Sequence, residues 1–451
     1  MQKQLAFKCI IIIVIGMLML IPLGMIEGKI RERQSFQYQA REDIARSWTG
    51  NQHILTPIMV IPYAVEVVRY TREGEDSRAR TYTEWRKHYL SPTSLGIEGE
   101  VETELRYLGI YRIPVYSAHL SLQGLFAADQ LGETLAQLQA ISGFSSLGNP
   151  YLSLHLADVR GISGSPTLTW QGQNLALEPD SGIETLDSGL QAPLPVLVSD
   201  RDATFEWQLS VRGMESLQWI PAAKQMDINL SSTWPHPQFS GAFLPQARTT
   251  TDAGFRANWR VNHFSTGIEK KLLDCEQNNC QALYDVGFGV DFVQAVNNYL
   301  QSERSVKYGL LFIGLTFAAF FIFETLRGIA IHPVQYSLVG MALAVFFLLL
   351  TALSEHLAFG LAYTIATASC VAILTYYLRY ILRAWAATLV FSSSLSVVFG
   401  LLYVIVGAED YALLMGSLLI FTVLSGMMII TRKINWYELS AKSISQFDIQ
   451  R

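Results

Sequence analysis

The run Cys275-Glu276-Gln277-Asn278-Asn279-Cys280 brings two thiols within reach of each other if the residues between them turn, and Asn278-Asn279 is turn-compatible chemistry. A disulfide closing this short loop is the first reading, provided the segment lies in an oxidising compartment; two free thiols are the alternative. A metal site is disfavoured, because structural zinc takes four ligands and no second Cys/His pair stands nearby in the sequence. Glu324, His332, Glu355 and His356 form a second group, ionisable residues at the edges of long apolar stretches. Charge within a membrane span is a functional candidate by default. All four fall at expected helix ends, where interfacial water lowers the cost of charge, so an anchoring or structural role is preferred. Glu324 and His332 flank one connection and Glu355 with His356 flank the next, which puts the two pairs on opposite membrane faces, about 30 Å apart. They cannot form one site. Trp234-Pro235-His236-Pro237 is the third group. Both prolines fix φ and neither donates to a sheet ladder. The segment is either a rigid aromatic recognition point or a strand-exit corner capping a core with Trp234; the corner is preferred, since sheets confine proline to edges and ends.

Signatures of established chemistries are missing: the sequence has no HExxH, P-loop, Rossmann glycine run or GxSxG elbow. No catalytic residue, metal or cofactor is expected, and the reading is of a non-enzymatic protein. A formal net charge of −5 over 451 residues lacks the basic footprint of nucleic-acid binding. Hydrophobic residues make up 50% of the chain and charged residues 16%, below the roughly one quarter typical of a soluble domain.

Six apolar stretches account for that composition, at residues 9–26, 308–323, 336–353, 357–378, 384–406 and 411–430. Each is close to the roughly 20 residues a helix needs to cross a hydrocarbon core. The first follows Lys3 and Lys8 and runs into Glu27-Gly28-Lys29 without a small-x-small cleavage site, so it reads as an uncleaved signal anchor. Pro22 lies near its far end, where freed carbonyls are re-satisfied locally. Arg327, Arg379, Arg383, Arg432 and Lys433 fall in alternate connections or after the last stretch, while the remaining connections carry Glu355-His356 and Glu409-Asp410. The basic set marks the cytoplasmic side. The expected layout is a cytoplasmic N-terminus (1–8), a signal anchor (9–26), a periplasmic domain (27–305), a five-helix bundle (306–430) and a cytoplasmic tail (431–451). Lys29, Arg31 and Arg33 oppose this orientation and are overruled, because long domains translocate largely regardless of such charges. Ser392, Ser393, Ser394 and Ser396 suggest a pore or, more commonly, a close-packed helix interface. Cys9 and Cys370 are expected to act as small packing groups. The bundle lacks the buried charge run of proton-coupled carriers and any obvious inverted repeat.

Between residues 54 and 264 the pattern mostly alternates, as where Leu152, Leu154 and Leu156 share one face. Residues 204–211, 226–230 and 255–261 behave alike, and 167–177 reads as a hairpin turning at Gln171-Gly172-Gln173-Asn174. Several short strands spaced by turns predict a sandwich-like fold of one or two lobes. Phe126, Leu131, Leu135, Leu138 and Ile141 interrupt it at helical spacing, with Asp129 as the expected N-cap. Residues 27–47 are expected to continue the anchor helix as a charged stalk. The fold class is a polytopic α-helical membrane protein with a large, mainly-β extracytoplasmic domain.

Several runs are distinctive: Phe323-Glu324-Thr325-Leu326, His332-Pro333-Val334-Gln335-Tyr336-Ser337-Leu338-Val339-Gly340 and Ala352-Leu353-Ser354-Glu355-His356. Thr233-Trp234-Pro235-His236-Pro237-Gln238-Phe239, Phe243-Leu244-Pro245, Asp158-Val159-Arg160-Gly161-Ile162 and Asn435-Trp436-Tyr437 add to them. Together, in order and spacing along the chain, these runs resemble the CreD family of bacterial inner-membrane proteins. The resemblance implies a multi-pass protein of the bacterial inner membrane with both termini cytoplasmic. It also implies a role in cell envelope integrity and envelope stress, linked to the CreB/CreC two-component system. It brings no catalytic residues, and Cys275 with Cys280 departs from the family pattern. The expected function is a periplasmic β domain that engages an envelope component or protein partner beside the lipid bilayer. A transporter, which needs a continuous polar path through the bundle, is one alternative. A lipid- or cell-wall-modifying enzyme, which needs an acid/base cluster on one membrane face, is the other.

Overall fold

The computed structural model describes residues 2–73, 76–186, 188–195, 199–293, 298–327, 331–382, 384–407 and 412–432. Arg383, Glu409, Asp410, Lys433 and the run 435–437 lie outside the described residues. Two compact units result, one of Gln39–Ala295 and one of Met1–Tyr38 with Val296–Arg451.

The chain opens with α1 (Gln2–Leu18) and α2 (Leu20–Ser47). The interruption at Met19 follows from Pro22, which has no N–H to offer the Leu18 carbonyl. Bonds on either side continue, Met19 N to Ile15 O at 3.1 Å and Leu23 N to Met19 O at 3.3 Å.

Next come β1 (Gln52–Glu73), β2 (Asp76–Leu90), β3 (Ser94–Leu108), β4 (Tyr111–Phe126), α3 (Ala128–Gln139), β5 (Phe144–Leu147), β6 (Tyr151–Leu156), β7 (Ile162–Trp170) and β8 (Gln173–Leu175). They are followed by β9 (Glu178–Pro179), β10 (Gly189–Pro193), β11 (Ala203–Met214), β12 (Ser216–Ile220), β13 (Gln225–Ser232), β14 (Pro237–Gly241), β15 (Ala247–Thr251) and β16 (Gly254–Asn262). Three short helices, α4 (His263–Thr266), α5 (Ile268–Glu276) and α6 (Gln281–Tyr284), precede β17 (Phe288–Phe292). Among the described residues, nine strands form the first sheet, in the order β14-β17-β12-β1-β6-β10-β9 with β2 and β5 also paired to β1. Eight form the second, in the order β15-β16-β13-β3-β4-β11-β7-β8.

Alternation explains the second sheet. Phe205, Trp207, Leu209 and Val211 of β11, and Met226, Ile228 and Leu230 of β13, point inward at every other position. They share one core with Met59, Ile61, Leu152, Leu154, Trp219 and Phe288 of the first sheet. β1 differs: Leu55, Ile58 and Val60 face a second cluster with Ile268, Leu272, Cys275, Cys280 and Leu283. A register shift between Leu55 and Ile58 changes which positions face which core. Buried on both faces, the strand reads as a continuous apolar run.

Two local expectations change. The N-cap of α3 is Ala127, and the Ala128 N–H donates to Asp202 Oδ1 at 2.9 Å; Asp129 sits in the first turn and accepts from Gln130 N at 2.7 Å. The cap comes from a residue distant in sequence. The hairpin turn is two residues, Gln171 (φ 47) and Gly172 (φ 80), with Trp170 paired to Gln173, so Gln173 and Asn174 belong to β8. Positive φ at both positions is what a tight hairpin turn with matching twist requires.

The second unit continues with α7 (Asn298–Lys307), α8 (Gly309–Arg327), α9 (Pro333–Ser354), α10 (Phe359–Leu382), α11 (Trp385–Gly407) and α12 (Ala412–Thr431). Among the described residues, four helices are long and apolar enough to cross a membrane: Phe7–Ser47, α9, α10 and α11. Tyr299–Lys307 with Gly309–Thr325, bent by 43°, makes a fifth if taken as one span, and Leu414–Gly426 is a shorter apolar helix. Phe312, Phe320, Tyr336, Phe346, Phe391 and Phe399 interlock between α8, α9 and α11. Ser392 Oγ meets Thr375 Oγ1 at 2.7 Å between α10 and α11, whereas Ser393 and Ser394 are exposed.

Cys275 and Cys280 are joined, with Cα atoms 4.2 Å apart, and Asn278 takes the left-handed conformation (φ 63) that lets the loop close. The loop is short, so the Cys275→Ser/Cys280→Ser double variant should lose about 2 kcal/mol in a thermal melt of the full chain. Thiol labelling of the unfolded, unreduced protein should find only Cys9 and Cys370; two further labelled cysteines would refute the bond.

Candidate functional site

Away from the end that α2 covers, the outer face of the second sheet is paved with polar side chains, because the strands there turn their apolar positions inward. Strand register sets them in rows. One row crosses the sheet as Thr249, Arg256, Ser231, Glu100, His119, Ser210 and Ser163, each paired with the next. The neighbouring row runs through Asn258, Asn229, Glu98, Ser121, Gln208 and Thr167. Several of these groups satisfy each other: Asn229 Nδ2 donates to Glu98 Oε1 at 2.7 Å, and Asn258 Nδ2 to Asn229 Oδ1 at 2.7 Å. His119 Nδ1 lies 2.8 Å from Ser210 Oγ, and Arg260 Nε lies 3.0 Å from Asp227 Oδ2. Short side chains between long ones leave grooves. One of about 590 Å³ runs past Gly99, His119, Ser121, Ser165 and Gln208. Another of about 480 Å³ lies over Ser231, between Glu100 and Glu102 on one side and Thr249 and Arg256 on the other.

One end of this face is covered by the last turns of α2, whose Ala40 and Ile44 pack on Ile113, Val115 and Met214. Arg160 closes that joint. Its guanidinium donates to the Arg46 and Ala45 carbonyls at 3.0 and 3.3 Å, satisfying acceptors that a helix C-terminus leaves open, and pairs with Asp158 at 2.6 Å. Asp158 also accepts from Gly50 N at 3.2 Å, while Gln52 Nε2 donates to the Asp158 and Arg212 carbonyls at 2.9 and 3.0 Å. The Arg160 hydrogen bond, with the backbone N–H groups of Gly50 and Arg160, holds the Asp158 carboxyl below its ordinary range. Gly161 is required here, since a Cβ would fall 2.4 Å from the Arg212 carbonyl oxygen. Beside the joint, Trp48 is stacked between Arg106 at 3.8 Å and Arg212 at 4.7 Å.

Trp234-Pro235-His236-Pro237 carries the chain from β13 in the second sheet to β14 on the edge of the first. Trp234 packs against the main core and its Nε1–H donates to the His236 and Val293 carbonyls at 3.1 and 3.0 Å; His236 is exposed.

In the helical unit Glu324 is buried. It pairs with Lys8 of α1 and accepts from Tyr336 OH at 2.9 Å and Ile331 N at 3.1 Å. His332 caps α9: its Nδ1 accepts from Val334 N at 3.3 Å, Gln335 Oε1 returns to His332 N at 3.0 Å, and Pro333 opens the first turn. Thr325 Oγ1 bonds back to the Phe321 carbonyl at 2.7 Å, and Phe323 lies half-buried against the helical core. Ser354 Oγ meets Ser302 Oγ at 3.3 Å, Glu355 sits 3.2 Å from Arg33 Nε, and His356 is exposed. The two groups stand at opposite ends of the 22-residue α9, about 33 Å apart by helix rise.

A family model described as inner membrane protein CreD matches residues 4–437. The chain belongs to the CreD family. Inner membrane protein CreD of Escherichia coli (strain K12) is 32% identical over 430 residues, which covers 94% of this chain and 92% of that protein. Superposition on the M1 zinc metallopeptidase of Deinococcus radiodurans reaches a TM-score of 0.18 at 8% identity over 38% of each chain, and carries no argument. The CreD runs recognised in the sequence fall at joints of this chain: a helix-terminus clamp, a sheet-exchange corner, a buried carboxylate and a capping box. The paved face draws on other residues, scattered over β3, β4, β7, β11, β13 and β16. Its sequence trace is the small or charged residue at every second position of those strands, as in Glu98, Glu100 and Glu102.

Two outcomes follow for this CreD chain. Asp158→Asn should cost roughly 1.5–3 kcal/mol at neutral pH, the range for hydrogen bonds to a charged group. A depressed carboxyl contributes stability above its unfolded value of about 4 and loses it as pH falls through the folded value. The gap between variant and native melting temperatures should therefore close on acidification. In the helical unit, Glu324→Gln leaves Lys8 without its carboxylate and should cost about 3 kcal/mol in detergent melts, with Lys8→Met/Glu324→Gln recovering most of it. Equal destabilisation by the single and double variants would show that the ion pair is not the cause.

Proposed function

We propose that this CreD protein is an inner-membrane protein with both termini cytoplasmic. Its β unit faces the periplasm and engages an envelope component, supporting envelope integrity. The observation that carries this reading is the contrast between the two sheets. Around β1 the first is covered on both sides, by the second sheet and by the cluster around Ile268, Leu272 and Cys275. The second has grooves and rows of hydroxyl, amide and carboxylate groups on its outer side. Orientation is supported by the Lys/Arg bias of the connections. The opposing Lys29, Arg31 and Arg33 each meet a carboxylate, Glu32 at 2.7 Å, Glu27 at 2.5 Å and Glu355 at 3.2 Å.

Ser121→Cys, on the paved face, should react with a membrane-impermeant maleimide in intact spheroplasts. Protection until the cells are lysed would overturn the periplasmic placement. Ser121→Arg and Ser231→Arg, accumulating to normal levels, should fail to restore detergent tolerance to cells lacking the native protein. Full restoration by both would remove the face from the function.

A further inference from the structure

The groove over Ser231 is bounded by opposite charges that have no ion-pair partner among the described residues. Neighbouring charged side chains on this face have partners: Glu98 receives Asn229, Asp227 receives Arg260 and Asn258, and Glu104 receives Arg106. Among the described residues, Glu100, Glu102 and Arg256 have neither a side-chain hydrogen bond nor an ion pair, and all three are exposed. Glu100 and Arg256 lie in one row with Ser231 between them. Two interstrand spacings separate their backbones by about 10 Å. Glu102 is one period further along β3 on the same face. The groove they bound, about 480 Å³, is of the size that holds a small ligand, and Ser231, Thr233 and Thr249 put hydroxyls along it.

We propose that this groove binds a short zwitterionic peptide, its ammonium group on Glu100 and Glu102 and its carboxylate on Arg256. The inference rests on the reading that this face engages an envelope component, and specifies the chemistry of that component. Charge complementarity selects the ligand. A purely anionic polymer meets the two carboxylates, a purely cationic one meets Arg256, and a neutral glycan leaves both charges without a counterpart. Length adds a constraint: an extended chain covers about 3.3–3.6 Å per residue, so three residues span about the distance between the two strands that carry the charges. Arg256 offers a forked donor that suits a carboxylate. The hydroxyls along the groove can receive and donate to the peptide groups in between.

The test uses the full-length protein in detergent micelles, titrated by calorimetry or ligand-observed NMR with Ala-Ala-Ala carrying free termini. Parallel titrations use the N-acetylated and the C-amidated forms. Saturable binding in the order of millimolar or tighter is expected for the free peptide, weakened about tenfold by either cap. Arg256→Gln should weaken the free peptide and abolish the penalty for amidation while keeping that for acetylation; Glu100→Gln/Glu102→Gln should do the reverse. All three positions are exposed, and melting curves matching the native protein check that the variants fold. Absence of saturable binding, or capping penalties that persist in the matching variants, would overturn the proposal. If Ala-Ala-Ala fails while Ser231→Arg still abolishes detergent tolerance, the zwitterion assignment falls and the role of the face stands.

Discussion

A strand paired to four others and buried on both faces needs a cover on each side, and the β unit is arranged around that need in β1. β2, β5, β6 and β12 all bond to it. Its inner positions are covered by the second sheet, and Leu55, Ile58 and Val60 by α5, α6 and the segment containing Ile183 and Leu186. The disulfide lies within that outer cover, fastening two short helices that would have little hold on each other alone. On the second sheet the outer apolar positions among the described residues are gathered at the end that α2 covers, Ile113, Val115 and Met214, and the rest of that face is polar from β16 to β7. Its free face is therefore a consequence of where the hydrophobic residues were placed.

Joints rather than reactive centres account for the residues that made the family recognisable. Arg160 supplies donors to carbonyls at the end of α2, and His332 with Gln335 does the complementary work at the start of α9. Each meets a backbone group that a helix end cannot satisfy internally. Glu324 collects a lysine, a phenol and a backbone N–H at one buried point, so three segments, α1, α8 and the start of α9, agree on one position. A residue with several partners of this kind cannot be exchanged without breaking more than one of them.

Much of the fold could be read from periodicity. Alternation in β11, β13 and β16 and the long apolar runs are local patterns, and they placed strands and helices where the structure has them. The misreadings had non-local causes. Asp129 looked like a cap because it precedes the helical pattern, but Asp202, from another strand connection, was closer to the free N–H. β1 does not alternate because its second cover is formed by residues more than two hundred positions later. The paved face was hidden for a related reason: Glu100, Ser231 and Arg256 become neighbours through parallel and antiparallel register, which no single stretch of sequence contains.

The corner at Trp234-Pro235-His236-Pro237 moves the chain from one sheet to the other, and neither sheet is built from a continuous stretch. Gln52 at the start of β1 pairs with Leu217, Ser94 with Gln225, and Leu217 in turn with Val290. Such distant pairings delay folding, because loop-closure entropy is lost before the contacts that offset it are made. The first half of the unit cannot complete the second sheet until β16, ending at Asn262, has emerged, nor the first until β17, ending at Phe292, has. During synthesis at the membrane, long strands such as β1 and β2 spend that interval with unpaired edges, and the hazard they present is aggregation rather than slow chemistry. Completion of the first sheet thus waits for the last strand to arrive.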